Sequence, residues 1–523
     1  MNRKEKTNLD SRIDYGVILP VFLLSLIGML SLYVALYNDP SKPKIGSLLM
    51  KQGLWYLVGG LSIVIIMHFS SKLLWRLTPV FYALGLVLMG LLLKFYDPVL
   101  AEQTGSKNWI RFGGTTFQPS ELMKIAFILM LAYKVTMHNV KYVGRTLKSD
   151  FWLIAKMLLV AIPVIVLVLL QKDFGTMLVF LAIFGGVFLM SGITWKIIVP
   201  VFILAALVGA GTIYLITTET GRDLLSKLGV EAYKFDRIDL WLNPFHTDPD
   251  RSFQPALALT AIGSGGLFGK GFNVSDVYVP VRESDMIFTV VGENFGFIGG
   301  CFIILLYFIL IYRMIRVCFD TNNEFYAYIA TGIIMMILFH VFENIGANIG
   351  LLPLTGIPLP FISQGGSSIL GNMIGVGLIM SMRYQQETVR TRSGRYRYKK
   401  EGVEMYTLYE YPKCSTCKNA KAWLDQQGVK YQAIDIKATP PSSEQLAKWM
   451  KETGLPVRRF FNTSGVLYRE QGLKDLVDSF SIEEASQRLA ADGMLIKRPI
   501  LLKDNTFLTN GFIEADYEGV LGK

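Results

Sequence analysis

Two carboxylates, Glu283 and Asp285, close a long polar stretch immediately before an apolar run that opens M-I-F-T-V-V. Carboxylates at the rim of a hydrocarbon layer are costly, which gives them a functional reading. In such a place a carboxylate can take a proton from a hydroxyl or hold a cation. The local alternative is that Ser284 or Asp285 caps the next helix. Upstream, G-S-K-N-W-I-R-F-G-G-T-T-F-Q-P-S-E-L-M-K (105–124) carries Lys107, Trp109, Arg111 and Glu121. Charged and aromatic residues beside a span also have a functional reading. Interfacial snorkelling of Lys107 and Arg111, a belt role for Trp109 and ordinary helix-start chemistry for Glu121 are the competing readings. A separate chemistry sits at Cys414 and Cys417, in P-K-C-S-T-C-K. A dithiol opening a helix has a lowered thiol pKa at its first cysteine, with Lys413 and Lys418 expected to help. A zinc half-site is the alternative, but no second pair or nearby His accompanies it. Cys301 and Cys318 lie in or beside an apolar run and read as packing residues.

The elements that position these residues follow from composition. The chain of 523 residues is 52% hydrophobic and 18% charged, with a mean hydropathy of +0.40. That is a membrane profile and too long for one compact domain. The net charge of +11 lies almost wholly before residue 405, beside the spans, so a nucleic-acid groove is excluded. Apolar runs predict about ten spans, near 15–37, 53–70, 76–95, 118–137, 151–170, 174–190, 196–216, 286–312, 325–349 and 363–383. The first is followed by no small-residue cleavage site and reads as a retained helix. Basic residues at the N-terminus, Lys134–Lys148, Arg313–Arg316 and Arg383–Lys400 then share one side, the cytoplasmic one. Lys42, Lys44 and Lys51 go mildly against that rule. Both termini are expected inside, and the loop 217–285 outside. Its glycines, in A-I-G-S-G-G-L-F-G-K-G, allow close approach to a ligand or a re-entrant path. No G-K-S/T follows, so it is not a nucleotide-binding loop. A third block, T-G-I-P-L-P-F-I-S-Q-G-G-S-S (355–368), cannot continue a helix and must be buried or line a polar cavity.

Composition changes sharply near Met405. The expected organisation is a membrane domain over 1–382, a basic cytoplasmic linker over 383–404 and a soluble domain over 405–523. In the last, M-Y-T-L-Y-E-Y, Y-Q-A-I-D-I and R-P-I-L-L read as strands, and 417–427 as a helix, a βαβ start. Met405 is also where a separate reading frame would begin, so a fusion of adjacent frames, natural or artefactual, is an alternative.

The three membrane blocks resemble the RodA/FtsW (SEDS) family over about residues 10–395. The matching motifs are W-I with F-Q-P-S-E, A-I-G-S-G-G, E-S-D-M-I-F-T-V-V-G-E-N-F-G and T-G-I-P-L-P-F-I-S-Q-G-G-S-S. The family pattern near H-T-D-F-I-F maps its catalytic Asp onto Asp285. Glu283 stands where His is usual, Ser284 where Thr is, and Gln364 where Tyr is common. The resemblance implies a ten-span α-helical fold and polymerisation of lipid II into glycan strands at the outer face of the cytoplasmic membrane. The elongation (RodA) branch is expected in preference to the division branch. Such transfer needs a base for the acceptor hydroxyl and positive charge for the departing diphosphate. Asp285 is expected as base or metal-positioning group, and Lys107, Arg111 and Arg282 as diphosphate contacts. Trp109, Glu121, Glu283 and Gln364 complete the expected substrate site. A divalent cation, Mg or Mn, is the expected cofactor, with Asp285 and Glu121 as candidate ligands. Implied partners are lipid II, the nascent strand, a class B penicillin-binding protein, other cell-wall elongation proteins and membrane lipids, with no nucleic acid. A lipid II flippase is the alternative function.

The tail, about 405–520, resembles the ArsC/Spx family, with a thioredoxin-like α/β fold. Y-P-K-C-S-T-C-K-N-A-K and K-R-P-I-L-L carry that resemblance. It implies Cys414 as thiol nucleophile, Cys417 as its resolving partner and Arg498 as an oxyanion-binding residue, with Arg458 as a second candidate. No cofactor is evident for this domain, and the family's activities range from arsenate reduction to polymerase binding.

Overall fold

Membrane-spanning helices must satisfy every backbone group internally and present apolar side chains outward. A computed structural model of the chain describes residues 12–39, 45–112, 115–142, 145–227, 233–245, 253–321, 323–399, 406–429, 431–504 and 506–521. They fall into two compact units divided between Thr391 and Arg392.

The first unit opens with α1 (Tyr15–Tyr37), α2 (Ile45–Ile66), α3 (Ser71–Phe95) and the short α4 (Pro98–Thr104). A hairpin of β1 (Ile110–Phe112) and β2 (Thr115–Phe117) leads to α5 (Pro119–Lys141). Then come α6 (Leu147–Leu170), α7 (Phe174–Met190) and α8 (Trp195–Thr217). Three shorter helices, α9 (Glu219–Lys227), α10 (Tyr233–Leu242) and α11 (Phe253–Ser264), precede α12 (Ile287–Phe319), α13 (Glu324–Asn348) and α14 (Gly366–Lys399).

Each of the ten expected spans coincides with a helix. By length and composition, seven of the described helices can cross a membrane: α1, α2, α3, α6, α8, α12 and α13. The others depart for local reasons. Helix α7 has 17 residues, α5 carries Glu121 and Lys124 within its first turns, and α14 runs on into the basic segment. In α2 and α8 only 11% of the most apolar window is buried, so their Leu, Val and Ile side chains face outward, as lipid contact requires. Within the segment 383–404, expected as a basic linker, the chain is helical through Lys399.

The stretch 217–285 is not one long loop, because its apolar segment F-Q-P-A-L-A-L-T-A-I-G-S folds as α11. Ala258 and Ala261 bury against Val279 and Met286. After α11, Gly265 and Gly269 admit the chain's own backbone. Lys270 N–H donates to Glu293 O at 2.9 Å, Phe297 N–H to Gly266 O at 2.9 Å, and Ile298 N–H to Leu267 O at 3.1 Å. The facing backbone belongs to α12, which breaks at Gly296, where φ is 63°. A Cβ on Gly269, itself at φ +80°, would stand 2.1 Å from Asn294 O. Gly269→Ala is therefore expected to destabilise the first unit by about 1–3 kcal/mol from overpacking alone, with left-handed strain added. A thermal-unfolding midpoint in detergent equal to that of the parent would contradict this.

In the second unit the strands β3 (Tyr406–Glu410), β4 (Tyr431–Asp435), β5 (Ile500–Lys503) and β6 (Thr506–Asn510) form one mixed sheet, ordered β4-β3-β5-β6. β3 and β4 are parallel, joined by α15 (Ser415–Gln426); β5 runs antiparallel to both β3 and β6. Helices α16 (Ser443–Thr453), α17 (Val466–Glu470), α18 (Ile482–Ala491) and α19 (Glu514–Leu521) complete this thioredoxin-like domain. Trp449, Phe460, Phe461 and Ile500 bury in one core, and Leu408, Leu424, Leu501 and Tyr517 in another.

Candidate active site

Asp285 is half-buried and sits one residue before Met286, the N-cap of α12. No side-chain cap bond forms there, so neither Ser284 nor Asp285 caps the helix. Its position is set through the backbone instead. Three successive carbonyls are held: Glu283 O by Gln364 N–H at 2.9 Å, Ser284 O by the Ser363 hydroxyl at 2.6 Å, and Asp285 O by Asn344 and Asn348 Nδ2 at 2.7 and 2.9 Å. The Ser284 hydroxyl donates to Asp285 Oδ1 at 3.2 Å.

The non-helical stretch 355–365 faces this segment, and its backbone groups are answered by side chains. Asn344 Nδ2 donates to Ile357 O at 2.8 Å and Tyr56 to Phe361 O at 2.7 Å; Gln52 Nε2 reaches Ser363 O at 3.2 Å, and Tyr307 donates to Pro360 O. A broken helix is tolerated here because the surrounding helices replace its lost hydrogen bonds. Gly356, at φ +80°, leaves space beside the carboxylate; a Cβ there would stand 3.8 Å from Asp285 Oδ2.

Sequence reasoning missed three groups. Asp173, at the N-cap of α7, accepts from Asn108 Nδ2 at 2.6 Å, Gln118 Nε2 at 3.1 Å and the Thr176 hydroxyl at 2.9 Å. Gln118 N–H reaches the Ser367 hydroxyl at 3.2 Å. Gln118 therefore joins the 105–124 block both to Asp173 and to the 355–368 block. Lys124, buried at 2% exposure, contacts both oxygens of Glu121, at 2.9 and 2.8 Å, and His340 Nε2 at 3.0 Å. An ammonium only donates, so Nε2 accepts; His340 Nδ1–H then donates to Pro358 O at 3.3 Å. Glu343 on α13, the third group, is buried and accepts from the Thr355 hydroxyl. A charged residue inside an apolar run was the available signal for Lys124, His340 and Glu343.

Of the expected site residues, Asp285, Glu283 and Gln364 come together. Glu121 lies against Lys124, so it is not available as a metal ligand. Arg282 departs from expectation: it is 2% exposed, with Nη1 on Ser275 Oγ at 2.5 Å and Nε on Ala35 O at 3.4 Å. It braces the loop against α1, with Nη2 buried and without a hydrogen-bond partner. Arg111 is exposed and ion-paired with Asp97, whose N–H holds Trp109 O at 2.8 Å. The Leu100 N–H, and after it the Arg111 guanidinium, hold Asp97 below the usual carboxylate range. Lys107 places its ammonium 4.9 Å from the centre of the Tyr96 ring. Among the described residues no three His, Cys, Asp or Glu side chains surround a common point. Asp285, Thr355 and the open Gly356 face still present oxygen donors, which suit a hard cation completed by substrate phosphate.

In the second unit Cys414 is the N-cap of α15, and both cysteines are free thiols. Burial alone would raise the Cys414 pKa; the Cys417 N–H and thiol and the Arg498 guanidinium outweigh it and hold Cys414 below the usual thiol range. Lys413 and Lys418, expected to do this, are exposed and do not. Burial pushes Cys417 up to about 12. Cys414 opens into a cavity of about 530 Å³ lined also by Arg459, Asn462, Lys497, Arg498 and Asn510. Arg459 takes the place expected for Arg458, which instead pairs with Asp478 at 3.2 Å. Arg498→Met is expected to move the pH midpoint of Cys414 alkylation upward in the full-length protein. An unmoved midpoint would contradict the assignment.

Apolar helices around a carboxylate-bearing polar centre, followed by a dithiol α/β unit, define a polytopic membrane protein with an appended thioredoxin-like domain. Residues 15–388 match the family model for the cell cycle proteins FtsW, RodA and SpoVE, and residues 409–520 match that of the ArsC family. The chain belongs to the FtsW/RodA/SpoVE family and carries a C-terminal ArsC-family domain. It is 33% identical over 393 residues to a probable peptidoglycan glycosyltransferase FtsW of Enterococcus hirae, covering 72% of this chain and 94% of that one. Stage V sporulation protein E of Bacillus subtilis (strain 168) is 32% identical over 289 residues, 54% of this chain and 73% of its own. A solved chain from a structure reported as "Structural coordination of polymerization and crosslinking by a peptidoglycan synthase complex" superposes with a TM-score of 0.58 at 25% identity, over 72% of this chain and 98% of that chain.

Proposed function

We propose that this chain is a peptidoglycan glycosyltransferase that polymerises lipid II at the outer face of the cytoplasmic membrane during cell elongation. The observation that carries this reading is Asp285, fixed by three anchored carbonyls where the recognised blocks meet. Asp285 accepts the proton of the acceptor sugar hydroxyl as that oxygen bonds the donor's anomeric carbon. The bond from that carbon to the lipid diphosphate breaks, and the electron pair leaves with the diphosphate. Lys107 and Arg111 supply positive charge for the leaving group. A divalent cation, Mg or Mn, held by Asp285 and the substrate's own phosphates, adds to that charge when bound.

The basic flanks of the spans favour cytoplasmic termini and an outer loop. A class B penicillin-binding protein is the fitting transpeptidase partner, in keeping with the synthase complex to which the fold is similar. Elongation, in preference to division, rests on the family resemblance. For the tail, Cys414 and Cys417 support thiol–disulfide chemistry of the arsenate-reductase type.

Purified protein incubated with labelled lipid II in detergent is expected to form glycan polymer. A flippase forms none under those conditions, so absence of polymer with lipid II and divalent cation present would sink the enzymatic reading.

A further inference from the structure

Glu343 has no place in the reaction outlined above, yet it is buried beside its centre. It lies on α13 next to Asn344, whose side chain holds the Asp285 carbonyl at 2.7 Å. The residue is 3% exposed. One oxygen, Oε1, accepts from the Thr355 hydroxyl; the other, Oε2, is buried without a hydrogen-bond partner. No Lys or Arg pairs with Glu343 among the described residues. The Asp285 carboxylate is near enough for its charge to act on Glu343. Asp285 borders Gly356, the residue after Thr355, with Oδ2 3.8 Å from the Cβ position there. The two carboxylates thus flank one two-residue stretch, Thr355–Gly356, from opposite chain segments.

Glu343, buried and with the charge of half-buried Asp285 acting on it, is stabilised by positive charge beside it, supplied by a cation or a proton. An unpaired buried carboxylate oxygen has the full cost of its lost hydration to recover. The donors on the Thr355–Gly356 stretch are oxygens: two carboxylates and the Thr355 hydroxyl. Such a set selects hard ions, and Mg²⁺ typically uses one or two carboxylates, water and substrate phosphates in place of a closed protein cage.

We propose that Glu343 and Asp285 together form a divalent-cation site, open on the side where the substrate diphosphate would complete the coordination. It rests on the reading of Asp285 as the centre of glycosyl transfer. Glu343 supplies the second protein carboxylate, which Glu121 cannot, being bound to Lys124. Without that second carboxylate the ion would be held by a single half-buried side chain.

The test is Mn²⁺ binding to the purified full-length protein, measured by electron paramagnetic resonance without lipid II. Glu343→Gln and Asp285→Asn are each expected to weaken Mn²⁺ binding by about tenfold or more. Mg²⁺ should compete, and Asp276→Asn, at an exposed loop carboxylate, should leave binding unchanged. Should Glu343→Gln fail to fold, judged by size-exclusion and thermal unfolding, Glu343→Asp serves in its place. That variant keeps the charge but moves it by one methylene, and should show a measurable loss. Unchanged Mn²⁺ affinity in the folded Glu343 variant overturns the proposal, as does a wild-type protein that binds no Mn²⁺. A polymerisation assay on the same preparations separates the two readings. Polymer from Glu343→Gln with an unshifted Mn²⁺ requirement removes the cation site and leaves the glycosyltransferase standing. Absence of polymer from wild type at every Mn²⁺ concentration removes the glycosyltransferase itself.

Discussion

Asp285→Asn should lower glycan polymerisation by about 10²–10⁴-fold, the usual worth of a positioned general base. The substitution is nearly isosteric, so the effect is chemical. The side-chain amide cannot take the acceptor's proton, and it is a poor ligand for a cation. The anchors of this segment are untouched, because Gln364, Ser363, Asn344 and Asn348 all hold backbone carbonyls. The contact with the Ser284 hydroxyl can also form to an amide oxygen. The variant is therefore expected to insert, to purify as a single species and to unfold near the parental temperature. The measurement is polymer length and yield from labelled lipid II, with thermal unfolding as the control. Parental activity in a folded Asp285→Asn protein would remove Asp285 from the chemistry.

Lys124→Met is expected to have the largest effect on stability. Lys124, Glu121 and His340 are exposed by 2%, 3% and 1%, so the ion pair lies out of water. Its two contacts, at 2.9 and 2.8 Å, engage both carboxylate oxygens. Removing the ammonium leaves a buried carboxylate with no counter-charge, which costs about 3–5 kcal/mol. It also leaves His340 Nε2 without its donor. Yield of folded protein and its unfolding midpoint should both fall. The double variant Glu121→Met/Lys124→Met should recover much of the loss, because an apolar pair of similar volume carries no desolvated charge. If the single variant is as stable as the parent, the ion pair contributes nothing. If the double variant is worse than the single, the cost is one of packing.

Much of this was legible in the chain's own order of residues. Apolar runs placed a helix at every expected span, since hydropathy over about twenty residues is a local property. The strand M-Y-T-L-Y-E-Y, the thiol pair and the following helix were likewise readable, because β3, Cys414 and α15 are consecutive. Asp285 was marked out by its place at the end of a polar stretch and by the block around it. Two kinds of expectation went astray. The glycines at 263–271 read as allowing close approach to a ligand or a re-entrant path, yet two of them, Gly265 and Gly269, admit the backbone of residues 292–295. Arg282 read as a diphosphate contact, yet it is 2% exposed and braced on Ser275 and on Ala35 in α1. In both cases the residue type announced close approach or charge, and the partner came from elsewhere in the chain.

By itself, then, the sequence determined the membrane character, the soluble tail with its dithiol, and the single carboxylate most worth testing. Each depends on neighbours within one helix turn or one apolar run. The tertiary structure alone decided what surrounds that carboxylate. Asn344 and Asn348 come to Asp285 from about sixty positions away, His340 to Lys124 from 216, and Ser367 to Gln118 from 249. Burial and pairing are set by which helix faces meet, and that is a property of the packed bundle and not of spacing along the chain. Asp285 began as an acid at the rim of a span; packing placed Glu343 beside it and Lys124 against Glu121.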